Sequence, residues 1–520
     1  MMKKWKIHAT LGIVSVFFML LFVSSPAQAE TVLKVGIGMA DAGQLDPHIS
    51  AKTQDKCVFG WMFNGLVRLK PGSMDLNAME PDLAERWEAS ADSLVWTFYL
   101  RKGVKFHGDY GEFTAEDVVY SLQRAKDPKT SGFSSDYANF TAVEAVDPYT
   151  VKITLDKPVP SLLALVSNYH GGNIVSKKAA EAMGEDFKTN PVGTGPFAFV
   201  EYKSKQNVTL AAHKEYFRGT PNIDKIIYRY IPSAASRELA FTKGELDLTY
   251  GVRQQQWVDR MRKKEGIIVD VFQPGELRTM HMNMTKKPFD DIRVRKAVAH
   301  AISRDEVAAF LGKDVTQLNF TVVPNGYLGH SNDVVRYEYD VDKAKALLKE
   351  AGYPDGFKTK AIISKRPPLL APMQIVQEQL RRAGITLELD VVEHATFHEQ
   401  IRKDLSPLVL YGAARFPIAD TYLTQFYHSR SIVATPTAVT NFSHNTAADA
   451  EIDAARSEAD PQKQKELWKQ AQQKIMDACV AYPFLELLQV WVRKDNLDYG
   501  YDLKAALTLG PLINETTQLK

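Results

Sequence analysis

Cysteine is nearly missing from this chain of 520 residues: only Cys57 and Cys479 carry thiols. Two thiols cannot complete a tetrahedral metal site by themselves. They leave two readings, one bridge across a long loop or two buried free thiols, and spacing favours neither. Net charge is also scarce, since 64 basic residues face 62 acidic ones. Lys3, Lys4 and Lys6 account for three of those bases, so the body from residue 30 onward carries 61 against 62. A body this close to neutral has no bulk charge to hold nucleic acid or an anionic membrane surface. Both partners are disfavoured.

Catalytic signatures are missing too. Gly36-Ile37-Gly38 lacks the third glycine of a dinucleotide turn, and no lysine follows a glycine-rich loop in the Walker arrangement. There is no Gly-x-Ser-x-Gly elbow, no His-Glu-x-x-His and no calcium-loop pattern. A scattered triad leaves no contiguous trace, so a hydrolase stays formally open. No period of 20 to 50 residues repeats, which excludes solenoids and propellers.

Long apolar runs are limited to one, Leu11 to Val23. It is shorter than the roughly 20 residues a spanning helix needs. The basic head before it and Ala27-Gln28-Ala29 after it have the pattern of a cleaved leader, with Glu30 as the first mature residue. No cysteine follows the run to take a lipid. The expectation is a periplasmic protein with residues 1–29 as signal peptide and no membrane anchor. With 45% hydrophobic and 24% charged residues, the rest is a globular chain with a sizeable core. Its length suits about three domains or one large two-lobed body.

Local patterning reads as α/β. Thr31 to Ile37 alternates like a strand, and Trp87 to Phe106 reads as strand, turn, strand, with Lys102-Gly103 supplying a turn. Thr114 ahead of Ala115-Glu116-Asp117 is a helix N-cap, and Val143 to Leu155 is a hairpin turning at Asp147-Pro148. Further on, Lys358 to Ile363, Met373 to Ala383 and Ile385 to Val392 run strand, helix, strand, a βαβ unit with a parallel pair. Asp453 to Ala478 is helical with a break at Asp460-Pro461, and Phe484 to Val492 is a late strand. His394 and His398 lie four apart at a helix start, where they could pinch a metal or form a solvated polar face.

Several segments, taken together, resemble one family. They are Leu45-Asp46-Pro47, Gly65-Leu66-Val67, Pro81 to Trp87, Trp96 to Phe106 with Phe113 to Val118, Asn190 to Phe197, Phe289 to Ala297 and Ala344 to Gly356. In this order they resemble solute-binding protein family 5 of ABC importers, whose members carry dipeptides, oligopeptides and nickel complexes. The resemblance implies a type II-like, two-lobed α/β periplasmic binding protein with an extra α/β insertion domain. Its expected layout is lobe I over 30–75, 190–278 and 485–520, the insertion over 76–189, and lobe II over 279–484. The chain would cross between lobes near Met280 to Asn283 and near Leu485 to Trp491. A solute would bind between the lobes, and the closed monomer would dock on an inner-membrane ABC permease. No cofactor, no resident metal and no catalysis are implied.

The same resemblance points to cleft residues. Met39 and Ala40, after the first strand, would pair by backbone with an extended ligand; an ordinary strand-end turn is the alternative. Arg366, in a proline-rich loop, matches an arginine that pairs with the ligand's carboxylate in dipeptide binders, and guanidinium geometry suits that role. His394 takes the place of a pocket tryptophan. Peptide-binding relatives have an aspartate for the ligand's α-amine where this chain has Arg415, and often a tryptophan where it has Gly412. That exchange inverts the charge required of the ligand. The expected solute is anionic, with one or two carboxylates and an apolar part against Tyr411, Phe416 and Tyr422. The alternatives are an Arg415–Asp420 ion pair with a peptide-like cleft, a metal chelate as cargo, or a receptor that signals to a sensor.

Overall fold

The structure is a computed structural model and describes residues 1–2, 30–50, 53–435 and 440–520. Residues 3–29, on which the leader expectation rests, lie outside the described residues. No helix among the described residues is long and apolar enough to cross a membrane.

One eleven-stranded sheet runs through the molecule. Its strands are β1 (Val32–Ile37), β2 (Phe197–Lys203), β3 (Asn207–Ala212), β4 (Lys225–Tyr230), β5 (Leu248–Tyr250), β6 (Ile267–Met282), β7 (Phe357–Ser364), β8 (Ile385–Val392), β9 (Leu408–Ala413) and β10 (Ala481–Lys494). The spatial order is β8-β7-β9-β6-β10-β5-β1-β4-β3-β2, and the short strand Thr316–Leu318 pairs with β10. β1 lies parallel to β4 and β5, and β7 lies parallel to β8 and β9. These two parallel groups are joined by the antiparallel pair of β6 and β10, which are 16 and 14 residues long. The pairing shifts register between Arg278 and Thr279 and, more widely, between Phe272 and Glu276. Before the wider shift β10 borders β5, and after it β6 borders β9. The change of neighbour falls upstream of the Met280 to Asn283 crossing expected from sequence, and opposite Leu487 to Gln489.

The burial pattern follows the same division. One apolar core gathers the second half of the chain, with Val298, Met373, Leu380, Trp468 and Ile475 fully buried. The other joins β1, β4 and Trp61 to a separate four-stranded antiparallel sheet of residues 84–155. Helix Ala115–Lys126 packs on that sheet, with Phe98, Val118 and Leu122 continuous with Leu33 and Tyr228 in one core. Its start carries the expected cap: the Thr114 side chain accepts from the backbone of Asp117, and the Asp117 carboxylate accepts from Thr114 N–H at 3.0 Å.

The βαβ unit forms as its pattern predicts, and Gly384, at φ +93, closes the intervening helix in a conformation that suits glycine. Two local readings need correction. The hairpin of Ala84–Ala89 and Val95–Leu100 turns at Ser90 to Ser93, because Ser90 and Asp92 side chains cap that loop; Lys102-Gly103 leads only to an isolated bridge between Lys105 and Glu112. The proline-rich stretch after Arg366 is helix, not loop. Pro367 and Pro368 open α2 (Pro367–Arg382), where their missing N–H groups would have had no intrahelical partner.

Cys57 sits on α1 (Thr53–Met62) in the core around β1 and Trp61, and Cys479 in the core of the second half, both as free buried thiols. Burial pushes both up to about 12, so neither supplies thiolate at neutral pH. A thiol-specific disulfide reagent at neutral pH is expected to label neither cysteine in the folded protein and both in denaturant. Rapid native labelling of either would contradict this burial.

Candidate functional site

In an open α/β sheet the carboxyl ends of parallel strands form the edge at which ligands bind, because loops and helix starts converge there. β7, β8 and β9 end together, at Ser364, Val392 and Ala413. The three charged residues singled out from sequence follow those ends directly. Arg366 caps α2, His394 opens α3 (His394–Arg402), and Arg415 lies two residues past β9. β1 and β5 also end on one edge, which leads into Met39 and into Arg253.

Arg253 and the strand pair show that the two edges meet. Its guanidinium lies 3.1 Å from Glu276, on β6 just past the register shift. Arg278, two residues on, reaches the same carboxylate at 2.8 Å. Burial alone would raise the Glu276 carboxyl, yet the two arginines hold it down at about 2. Arg278 is 5% exposed, and its Nε has no hydrogen-bond partner among the described residues. The side chain lies over Gly412, its register partner on β9, where a Cβ would stand 2.1 Å from Arg278 Nη1. The space over Gly412 is filled here by a guanidinium. Sequence reasoning missed Arg253, Glu276 and Arg278; Gly412 was the signal, read only as a missing ring.

Arg366 is exposed, and its charge reaches Glu276, His394 and His398. His394 bonds Ser364 Oγ at 3.0 Å and meets His398 Nε2 at 3.2 Å. Burial, then the charges of Arg366 and Arg278, lower His394; burial and His394 bring His398 down to about 4. The imidazoles are neutral at pH 7 and half-buried against Phe397 and Tyr411, so they do not form a solvated face. Among the described residues no group of three His, Cys, Asp or Glu is placed to hold a metal ion.

Arg415 has no acid partner among the described residues. Asp420, the alternative considered from sequence, is 3.0 Å from Arg456 instead. Arg415 donates to Gln425 Oε1 at 2.6 Å and to its neighbour Ala414 O, with Phe426 5.3 Å below the guanidinium. Its backbone is pinned on both sides by Tyr327, whose hydroxyl donates to Arg415 O and accepts from Arg415 N–H. Phe416 faces Tyr169 of the other half, ring centroids 5.7 Å apart.

The remaining expected residues differ in standing. Tyr422 is buried between Tyr327 and Phe426, with its hydroxyl given to Ala413 O, so it supports the site from behind. Tyr411 packs on His398, Phe426 and Phe442. Met39 N–H turns back onto Ile37 O at 3.0 Å, the strand-end turn, and this donor is not free for strand addition. Ala40 is exposed beside it.

Comparison with known proteins agrees with this architecture. Residues 78–434 match the model of bacterial extracellular solute-binding proteins, family 5 Middle. Heme-binding protein A of Haemophilus influenzae is 30% identical, covering 79% of each chain. The dipeptide-binding protein of Escherichia coli is 30% identical, over 75% of this chain and 77% of its own. Among solved structures, the binding protein MoaA of A. tumefaciens R10, in complex with mannopinic acid, is 49% identical. It covers 95% of this chain and 100% of its own, with a TM-score of 0.85. Two strand-end edges facing each other across one long strand pair are thus the cleft of a type II, flytrap-like binding protein, and the chain belongs to solute-binding protein family 5, the solute-binding components of ABC importers.

Proposed function

We propose that this protein binds a carboxylate-bearing solute between its lobes, without altering it, and delivers it to an inner-membrane permease. One observation carries the proposal: the cleft holds more cations than acids. Arg253 and Arg278 share the single carboxylate of Glu276, while Arg366 and Arg415 have no acid partner among the described residues. Guanidinium groups gathered in a partly desolvated cleft repel one another, and an anionic ligand supplies the compensation. Arg366 and Arg415 are the groups placed to hold carboxylate oxygens, with Phe416 and Tyr411 offering apolar surface nearby. The mannopinic acid bound by MoaA, 49% identical to this chain, supports an organic acid as cargo.

Export through a cleaved leader of residues 1–29 and a monomeric state belong to the same proposal. So does a layout with lobe I over 30–75, 190–278 and 485–520, the insertion over 76–189, and lobe II over 279–484. Family membership supports the reading of a binder with no catalytic step.

Titration calorimetry against mannopinic acid and against a dipeptide with a free α-amine tests the solute class. The acid is expected to bind, the dipeptide to bind at least about a hundredfold more weakly, and Arg415→Ala to weaken the acid by about tenfold or more. Tight dipeptide binding that survives Arg415→Ala would overturn the proposal.

Gly412 offers a second test. Gly412→Trp puts a ring where Arg278 now lies, so the Arg278–Glu276 contact must break. The expected result is about tenfold weaker acid binding and a melting temperature lower by a few degrees, as for about 1–2 kcal/mol lost. An unchanged melting temperature and affinity would show that the guanidinium does not need that space.

A further inference from the structure

Lys56 is a charged group that the binding residues above do not include. It lies on α1 in the first half of the molecule, half-buried, with its ammonium 3.2 Å from Tyr169 Oη and 4.7 Å from the centre of the Tyr169 ring. Both are neutral partners. Among the described residues Lys56 has no ion pair, and neither has Arg415. Yet the two act on each other, because Tyr169 stands against Phe416, the residue after Arg415. The field of Arg415 reaches Lys56, Tyr169 and His170, all of which belong to the opposite side of the cleft.

The surroundings are built rather than loose. His170 is stacked between Tyr169 at 3.8 Å and Phe133 at 4.1 Å, and its Nε2 is buried without a partner. Burial, then Lys56 and Arg415, keep this imidazole well below its usual range, so it stays neutral. Burial first and Arg415 second bring Lys56 down to about 7. The other ionisable groups acting on Lys56 are exposed Asp136, on the turn Ser134–Tyr137, and Cys57, its neighbour on α1. Asp136 is itself shared with Arg456 and Arg415 and balanced against Asp420.

We propose that Lys56 is a ligand-binding residue, which with Arg415 grips one carboxylate of the solute from opposite lobes. This rests on the reading of the solute as an organic acid. The two cations sit on different lobes, so their approach occurs only as the cleft closes. Without an anion, closing brings like charges together and is opposed. With a carboxylate between them, the same approach becomes attractive. This is the differential interaction that a ligand must make with the closed state to drive closure. Lys56 and Arg415 therefore form an electrostatic gate as well as a grip.

The linkage has a definite sign. Burial first and the Arg415 field second bring Lys56 down to about 7, and on this proposal the Arg415 share arises only as the lobes approach. The closed form then holds fewer protons than the open one, so it gains on the open form as pH rises above about 7. The ligand-free wild type should become more compact in solution scattering between about pH 6 and about pH 9. Lys56→Met should already be more compact at the lower pH and should not change across that range.

In calorimetry with mannopinic acid, Lys56→Met should lose about tenfold or more in affinity, and Lys56→Arg should recover most of it. An affinity for Lys56→Met within twofold of wild type would overturn the proposal, as would ligand-free scattering identical for the two proteins at both pH values. Should wild type fail to bind mannopinic acid, the choice of solute fails, and the ligand-free scattering still decides for or against Lys56. Circular dichroism melts of both variants establish that each is folded.

Discussion

Everything in this molecule hangs on the antiparallel pair of β6 and β10. It is the ladder that borders both parallel groups of strands, so the two halves can shift relative to each other only by deforming it. Its pairing is interrupted twice, between Arg278 and Thr279 and, earlier in β6, between Phe272 and Glu276. Gly275 sits there against Glu486, so close that a Cβ on it would be 2.6 Å from the Glu486 side chain. The next residue is Glu276, which anchors Arg253 and Arg278. The break in the ladder and the charged floor of the cleft are therefore neighbours in the chain.

The charge of the cleft is local. The chain from residue 30 is nearly neutral, and most of its ion pairs lie at the surface, where they contribute little. Between the lobes the balance tips. One carboxylate serves two arginines at the floor, and further along a lysine and an arginine act on each other across neutral rings, with Asp136 as a nearby acid. In a partly desolvated site such an excess is felt strongly. On the proposed function, that excess selects cargo by sign before shape enters and tells a peptide's ammonium end apart from an organic acid. The depressed imidazoles of His394, His398 and His170 follow from burial first and from neighbouring charges second, which leaves them as neutral hydrogen-bonding groups.

Much of this was legible in the sequence where the signal is local. The cap at Thr114, the βαβ unit around α2 and the break at Pro461 are written in adjacent residues, and they form. Arg366, His394 and Arg415 could be singled out because the resemblance to the family's cleft segments reaches those positions. Pairings across the fold could not be read this way. Lys56 and Tyr169 are 113 residues apart, and nothing in either segment announces the other. Arg278 lies inside a long strand whose alternation gives no hint that one guanidinium turns over a glycine of the next strand. The double proline after Arg366 misled for a different reason: proline breaks a helix interior but suits its first turn.

The fit of Arg278 over Gly412 has a consequence for how such a protein changes cargo. A side chain of any size at 412 collides with the guanidinium, and loss of the guanidinium alone leaves a hole over a glycine and a carboxylate short of one partner. Neither single replacement reaches a well-packed alternative. On the proposed function, a change from acidic to amine-bearing cargo at this position therefore takes paired replacements of Gly412 and Arg278, which makes it a ratchet on transport specificity.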